Sequence, residues 1–160
     1  MLSVKIICVG RMREKFYIDA FNEYIKRLQP YCKLQLLEPT EQKLGDSPSP
    51  RELEKALDRE AEDILSAVPG DSYAVALCIE GREMSSEALA ELISKMEGSG
   101  KPRMCFIIGG SYGLSPKVKA RADLRLSMSP MTFPHHLARV MLAEQLYRSF
   151  KINEGSRYHK

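Results

Sequence analysis

The sequence contains no apolar run near the ~18 residues that a membrane-spanning helix needs. Its opening residues, MLSVKIICVG, lack the basic start, long apolar stretch and small-residue cleavage site of a secretory signal. Internal repeats and low-complexity segments are absent too, and 28% charged residues with a net charge of +3 do not describe a disordered tail. These absences predict a globular protein with no membrane partner, whose first residues form a short β-strand.

The sequence has only four cysteines, and their spacing does not support a metal or disulfide framework. Cys8, Cys32, Cys78 and Cys105 are never paired at metal-ligand spacing, and three of them lie in apolar, strand-like runs. We therefore expect structural thiols in a reducing, cytoplasmic environment. The adjacent pair His135-His136 would point about 100 degrees apart on a helix. No metal site is expected.

The glycine motifs of nucleotide-binding proteins are missing. Neither G-x-x-x-x-G-K-[ST] nor G-x-G-x-x-G occurs, and only Gly10 follows the first strand. Residues 109–113, GGSYG, do match the G-x-S-x-G elbow of serine hydrolases. An elbow serine leads directly into a helix, whereas here the helix signal Ser115-Pro116 comes four residues after Ser111. We expect instead an open glycine loop whose backbone groups meet an adenosine-like ligand.

Apolar periodicity predicts five strands alternating with five helices within one domain over residues 1–160. The strands are expected at 4–9, 33–38, 73–79, 104–108 and 124–127, and the helices at 16–28, 50–67, 85–96, 116–122 and 134–150. Residues 39–49 are predicted to be a mobile loop and residues 80–82 a turn. This alternation predicts an α/β fold, a parallel sheet with helices on both faces.

Ligands of such sheets bind beyond the carboxyl ends of the strands. Those ends carry Gly81, the loop 109–113 and the loop 127–134. Three loops at one rim predict a pocket.

The charge is unevenly distributed along the chain. Residues 101–160 hold eleven Lys or Arg, three acids and all three histidines, hence about +8, whereas residues 1–100 carry about −5. An anionic ligand or polyanion would meet the C-terminal third. The tail 153–160 is compatible with fraying and equally with single-stranded RNA contact. Helix 134–150 is apolar around most of its circumference, so it is either central in a monomer or packed on a second copy.

Several C-terminal motifs together resemble one known family. They are FIIGGSYGL at 106–114, LSMS at 126–129, MTFPH at 131–135, RV at 139–140, EQLYR at 144–148 and YHK at 158–160. These motifs resemble the large-subunit ribosomal RNA methyltransferase H family, of the SPOUT class, and the resemblance covers essentially the full length. It implies an α/β parallel-sheet domain with a C-terminal trefoil knot, and a homodimer formed through the last helix. It also implies S-adenosylmethionine as cofactor and N3 methylation of a pseudouridine in the intersubunit stem-loop of 23S rRNA, on assembled ribosomes.

The resemblance also assigns site residues. The cofactor contacts it implies are Leu77, Gly109, Gly110, Met128, Ser129, Pro130, Met131, Thr132 and Phe133. The residues implied to face the uridine are His135, Arg148, Tyr158 and His159, with the tail of one subunit completing the site of its partner.

Methylation of N3 at neutral pH requires loss of a proton and stabilisation of negative charge on the ring. His159 or His135 is a candidate proton acceptor, because an unperturbed histidine titrates near ~6.5. Arg148 or Arg157 is a candidate for the positive charge. The residues alone leave both choices open.

Overall fold

The computed structural model describes all 160 residues, and its elements alternate as expected. In chain order they are β1 Leu2–Cys8, α1 Lys15–Leu28, β2 Cys32–Leu37, α2 Pro50–Ala67, β3 Tyr73–Glu83, α3 Ser86–Glu97, β4 Arg103–Ile108, α4 Pro116–Arg121, β5 Leu124–Ser127 and α5 His135–Asn153. The predicted number, type and order of elements are confirmed, with most boundaries within two residues.

All strand pairs are parallel, in the order β2-β1-β4-β3-β5. The strand β4 therefore lies at the centre, with β1 on one side and β3 followed by β5 on the other. Because β4, β3 and β5 are consecutive neighbours, the loops that follow them emerge side by side at one rim. The loop after β1 emerges at the same rim, on the side of the β4 loop that faces away from β3.

Local signals explain where the helices begin. Ser49 accepts the backbone N–H of Glu52 at 3.1 Å, and the Glu52 carboxylate accepts the Ser49 backbone N–H at 3.3 Å, which together form a capping box. Pro50 occupies the first turn, where its missing N–H costs nothing. At the start of α3 the Ser85 hydroxyl accepts the Ala88 N–H, and at the start of α4 the Ser115 hydroxyl accepts the Lys117 N–H.

The central strand β4 buries side chains on both faces of the sheet. Met104, Phe106 and Ile108 join a core layer with α1, α3 and α5, while Cys105 and Ile107 join a second layer with α2 and α4. This period-two alternation between two apolar layers accounts for the continuous apolar run of the strand. Helices on both faces are confirmed.

The end of β3 differs from the prediction. A turn was expected at residues 80–82, but the strand continues to Glu83. Its pairing with β5 jumps from Leu77 to Arg82, both opposite Leu126, so residues 78–81 bulge out of the ladder. Strand propensity and turn residues do not reveal such a bulge, because it depends on which residue of a neighbouring strand resumes the pairing.

Candidate functional site

One cavity of about 740 Å³ opens at the carboxyl rim, where the three expected loops meet. Its walls are the β3 bulge, the glycine loop after β4 and the segment between β5 and α5. The lining residues are Leu77, Cys78, Ile79, Glu80, Ile108, Gly109, Gly110, Ser111, Tyr112, Gly113, Leu114, Lys119, Leu126, Met128, Ser129, Met131, Thr132, Phe133, Pro134, His135 and Ala138. The wall is largely apolar, with backbone groups and few charges, as small-molecule sites usually are.

The bulge places Cys78, Ile79 and Glu80 in the cavity wall, whereas an uninterrupted strand would keep them paired with β5. Gly81 lies so close to β5 that a Cβ there would be 2.8 Å from the Arg125 carbonyl group. Glu80 forms an ion pair with Lys119 of α4 at the edge of the cavity, and this contact lowers the Glu80 pKa. The bulge is therefore held against both its neighbours.

The glycine loop closes tightly on itself. Gly110 and Gly113 form an isolated antiparallel bridge, and the Gly113 N–H donates to the Gly110 carbonyl at 3.1 Å. A Cβ on Gly109 would lie 2.4 Å from the Gly113 carbonyl oxygen, so no larger residue fits this position without moving the backbone. The Ser111 hydroxyl forms no hydrogen bond with any histidine, and α4 begins only at Pro116.

Glu41 holds the glycine loop in place by a hydrogen bond. Its Oε1 accepts the Ser111 backbone N–H at 2.9 Å, and a Cβ on Gly110 would lie only 2.5 Å from the same oxygen. The segment that carries Glu41 is itself anchored, since the Gln42 N–H donates to the buried Glu60 carboxylate at 2.9 Å. The loop 39–49, which was predicted to be mobile, is thus hydrogen-bonded through Glu41 to the glycine loop of the cavity wall.

The third wall is shaped by serine hydrogen bonds. The buried Ser127 hydroxyl donates to the Ser129 carbonyl at 3.1 Å, and the Ser129 hydroxyl accepts the Met131 N–H at 3.0 Å. These bonds turn the chain from β5 towards α5 and leave Met131 73% exposed at the mouth of the cavity.

His135 begins α5 and lies in the cavity wall. Its Nε2 is buried and has no hydrogen-bond partner. Burial lowers the His135 pKa below 6.5, and the neighbouring His136 adds to the effect while Glu41 opposes it. The ring is therefore neutral near pH 7.

Arg139, one turn later, fixes the start of α5 against the sheet. It is 1% exposed, donates to Glu38 at 2.6 Å and donates to the Gly10 carbonyl at 2.9 Å. Glu38 follows β2 and Gly10 follows β1. This contact joins α5 to the carboxyl ends of two strands on the far side of β4.

The other predicted uridine-facing residues form a second cluster around Glu144. Arg148 binds the Glu144 carboxylate at 2.5 and 2.9 Å, and the Tyr158 hydroxyl donates to it at 3.2 Å. Arg148 also donates to Nδ1 of His159 at 3.1 Å, so the His159 Nε2 carries the proton that reaches Glu87 at 2.7 Å. Burial and Glu144 raise the Tyr158 pKa to about 12. The tail is folded back on its own α5.

The structure therefore brings most of the expected cofactor residues together but divides the expected catalytic set. Every predicted cofactor residue except Pro130 lines the cavity. His135 lines it too, whereas Arg148, Tyr158 and His159 lie elsewhere in the single chain, near a second groove of about 400 Å³ bordered by Glu144. Residues of the site that the sequence did not indicate are Glu41, Cys78, Ile79, Glu80, Lys119 and Ala138.

No group of three or more His, Cys, Asp or Glu side chains is arranged to hold a metal ion. None of the helices has the length and apolar character required to cross a bilayer.

Comparison with known proteins gives a consistent result. The family described as "Predicted SPOUT methyltransferase" matches residues 2–159. The ribosomal RNA large subunit methyltransferase H of Moorella thermoacetica is 46% identical over 160 residues, which is 100% of both chains. The protein of the same name from Clostridioides difficile is 44% identical over 159 residues, 99% of this chain and 100% of the relative.

A solved structure shares the fold at low identity. The probable methylase family protein from Haemophilus influenzae Rd KW20 matches with a TM-score of 0.55 and 16% identity, over 100% of this chain and 72% of that chain. At this identity the likeness concerns the fold alone.

Proposed function

The chain belongs to the SPOUT methyltransferase family, and from that premise we propose that it transfers a methyl group from S-adenosylmethionine to N3 of a pseudouridine in 23S rRNA of the assembled ribosome. One observation carries the proposal: the loops after β3, β4 and β5 enclose a single largely apolar cavity in a chain whose full-length relatives bear the name of an rRNA methyltransferase.

The cavity fits a sulfonium nucleoside. Its volume of about 740 Å³ lies within the range of small-molecule sites, and the lining combines apolar side chains with the exposed backbone of the glycine loop. The partnerless buried Nε2 of His135 is a polar atom that a ligand would satisfy. Leu77, Gly109, Gly110 and the segment from Met128 to Phe133 would hold the cofactor, with Pro130 shaping the segment from outside the wall.

S-Adenosylmethionine, when bound, supplies an electrophilic methyl group. What remains for the protein is to align the N3 lone pair with that methyl group and to take the N3 proton. We assign the proton acceptor to His135, because its side chain lines the cavity and its lowered pKa keeps the ring neutral near pH 7. His159 suits the role less well in the single chain, since both its ring nitrogens are engaged.

The catalytic site as a whole requires a second copy of the chain in this proposal. Arg148, Tyr158 and His159 lie along the outer side of α5, beside the groove lined by Tyr24 and Met141. Val140, Met141, Glu144, Tyr147 and Arg148 are half-buried on that side. A homodimer formed across α5 would cover this apolar face and would bring the tail cluster of one subunit towards the cavity of its partner.

The proposal is tested by incubating ribosomes that lack the modification with the full chain and S-adenosylmethionine carrying an isotopic methyl label. Nucleoside mass spectrometry should find the label on N3 of one pseudouridine of 23S rRNA. A label on ribose or on another base would overturn the proposed specificity. Absence of any transfer from a bound cofactor to ribosomes would overturn the proposed substrate.

A further inference from the structure

A basic loop with an exposed aromatic ring lies beside the cavity, and no part of the reaction described above uses it. It comprises the β1–α1 loop, residues 9–14, together with Lys15 and Phe16, the first two residues of α1. Arg11 and Arg13 are exposed and form neither a salt bridge nor a side-chain hydrogen bond. Lys15, by contrast, is paired with Asp19 at 2.5 Å. Phe16 is 65% exposed. This segment therefore presents two unpaired arginine side chains and one exposed aromatic ring to solvent.

Contacts at both ends fix the position of this loop. At its start, Gly10 donates its N–H to the Pro39 carbonyl at 2.8 Å and accepts from Arg139 at 2.9 Å. At its end, Glu14 lies 3.5 Å from His136, whose ring also packs edge-on against Tyr17. Arg139 and His136 belong to the first turns of α5, where His135 lines the cavity. Arg11 and Arg13 therefore extend from a segment whose two ends are fixed next to the cavity.

The exposed apolar side chains of the molecule concentrate in the same region. Apart from Met1, the large hydrophobic residues that remain exposed are Phe16, Ile79, Tyr112 and Met131. The last three line the cavity. Because β1 is a neighbour of β4 in the sheet, the loop with Phe16 and the glycine loop with Tyr112 emerge at the same rim. A ligand that enters the cavity and extends past its mouth would meet this surface.

Arginines without partners beside an exposed aromatic ring suit one class of partner. Single-stranded RNA offers phosphates to the guanidinium groups and unstacked bases to the ring. We propose that Arg11, Arg13 and Phe16 form a docking surface for the RNA strand flanking the nucleotide in the cavity, with the arginines on phosphates and Phe16 stacked on a base. This inference rests on the proposed rRNA function.

The test measures binding of the full chain to purified ribosomes that lack the modification, across a range of salt concentrations. The double variant Arg11→Glu, Arg13→Glu should bind at least about tenfold more weakly, and its affinity should depend less on salt, by about one to two in the slope of log K against log [salt]. Phe16→Ala should weaken binding by about tenfold with the slope unchanged, because a stacking contact releases no counterions.

A matched control separates local contacts from total charge. The double variant Arg51→Glu, Lys55→Glu makes the same change in charge on exposed positions of α2, which covers the other face of the sheet. It should bind ribosomes like the wild type. Equal weakening by both double variants, or wild-type binding by Arg11→Glu, Arg13→Glu, would overturn the proposal.

Two further readouts distinguish this inference from the proposed function. All variants should bind S-adenosylmethionine like the wild type, since none of these residues lines the cavity. If the wild type fails to methylate ribosomes, the proposed function fails. If it methylates them and the Arg11→Glu, Arg13→Glu variant does so with an unchanged KM, the docking surface alone is wrong. A change of oligomeric state in Phe16→Ala would show that a second copy covers the ring, and would likewise overturn it.

Discussion

The Glu41 carboxylate holds the glycine loop through a single backbone hydrogen bond to Ser111. We expect Glu41→Ala to weaken S-adenosylmethionine binding by about tenfold, since a hydrogen bond to a charged group contributes about 1.5–3 kcal/mol and the loop it holds forms one wall of the cavity. Glu41→Gln retains an oxygen acceptor and should bind nearly as well as the wild type. Calorimetry measures both.

Glu62→Ala is the matched control for this prediction, because Glu62 is exposed on α2 and makes no side-chain contact with the cavity. It should leave cofactor affinity unchanged. Wild-type affinity in Glu41→Ala would contradict a positioning role for Glu41.

The lowered pKa of His135 has a consequence for stability. The unfolded chain takes up a proton at this histidine near pH ~6.5, whereas the folded chain resists protonation until a lower pH. The contribution of neutral His135 to stability is therefore complete above ~6.5 and declines as the pH falls through that value towards the folded-state pKa.

Denaturant unfolding at about pH 7.5 and about pH 5.5 checks this expectation for the wild type and for His135→Gln. The wild type should lose more stability on acidification than the variant, which lacks the titrating ring. An identical loss in both proteins would show that His135 titrates alike in the folded and unfolded chains.

From the sequence, single residues of the cavity wall could be located where the glycine signal is local. Gly109 and Gly110 are recognisable because they follow an apolar strand. Glu41 and Glu80 are not, since each reaches the site from a loop or bulge whose position depends on distant strands. The choice between His135 and His159 also required tertiary contacts, namely the two partners that occupy the ring of His159.

At the scale of elements, α5 is joined to the sheet by the Arg139–Glu38 pair. Glu38→Ala would leave the guanidinium of Arg139 buried and without its counter-charge, so we expect a loss of about 3–5 kcal/mol in the free energy of unfolding. Denaturant unfolding measures this loss.

Glu54→Ala provides a control for that measurement, because Glu54 is exposed on α2 and its replacement should change stability by less than about 0.5 kcal/mol. A loss in Glu38→Ala no larger than in the control would contradict the role assigned to the buried pair.

Helices and strands were predictable because each has a local signature: a capping serine, a first-turn proline or an apolar alternation. The extension of β3 to Glu83 was missed because the strand resumes its pairing after a bulge. The hydrogen bond between Glu41 and Ser111 was missed for a related reason. The sequence of a polar, turn-rich loop does not indicate which distant backbone N–H group its side chains will bind.

For the whole molecule, the proposed homodimer requires that α5 be covered on its outer side. Met141 is half-buried there and lines the groove beside Tyr24. A charge buried in a protein interface is costly, so Met141→Glu should convert a dimer to a monomer while the fold is retained. Sedimentation velocity measures the change.

Leu65→Glu places the same charge at a half-buried position of α2 on the opposite side of the sheet, and should not alter the oligomeric state. Sedimentation of the wild type as a monomer would contradict the dimer directly.

The overall architecture followed from alternation, and the parallel sheet with helices on both faces is confirmed. The trefoil knot stays a prediction of the resemblance, because connections normally avoid threading and no pattern in the sequence would have suggested one.

The most direct test is calorimetric titration of the full chain with S-adenosylmethionine, compared with the variant Ala138→Trp. Ala138 lines the cavity from α5, so an indole ring there would occupy ligand space. We predict saturable binding by the wild type and at least tenfold weaker binding by the folded variant. No binding heat from the wild type, or undiminished binding by Ala138→Trp, would contradict the claim that this cavity holds the cofactor.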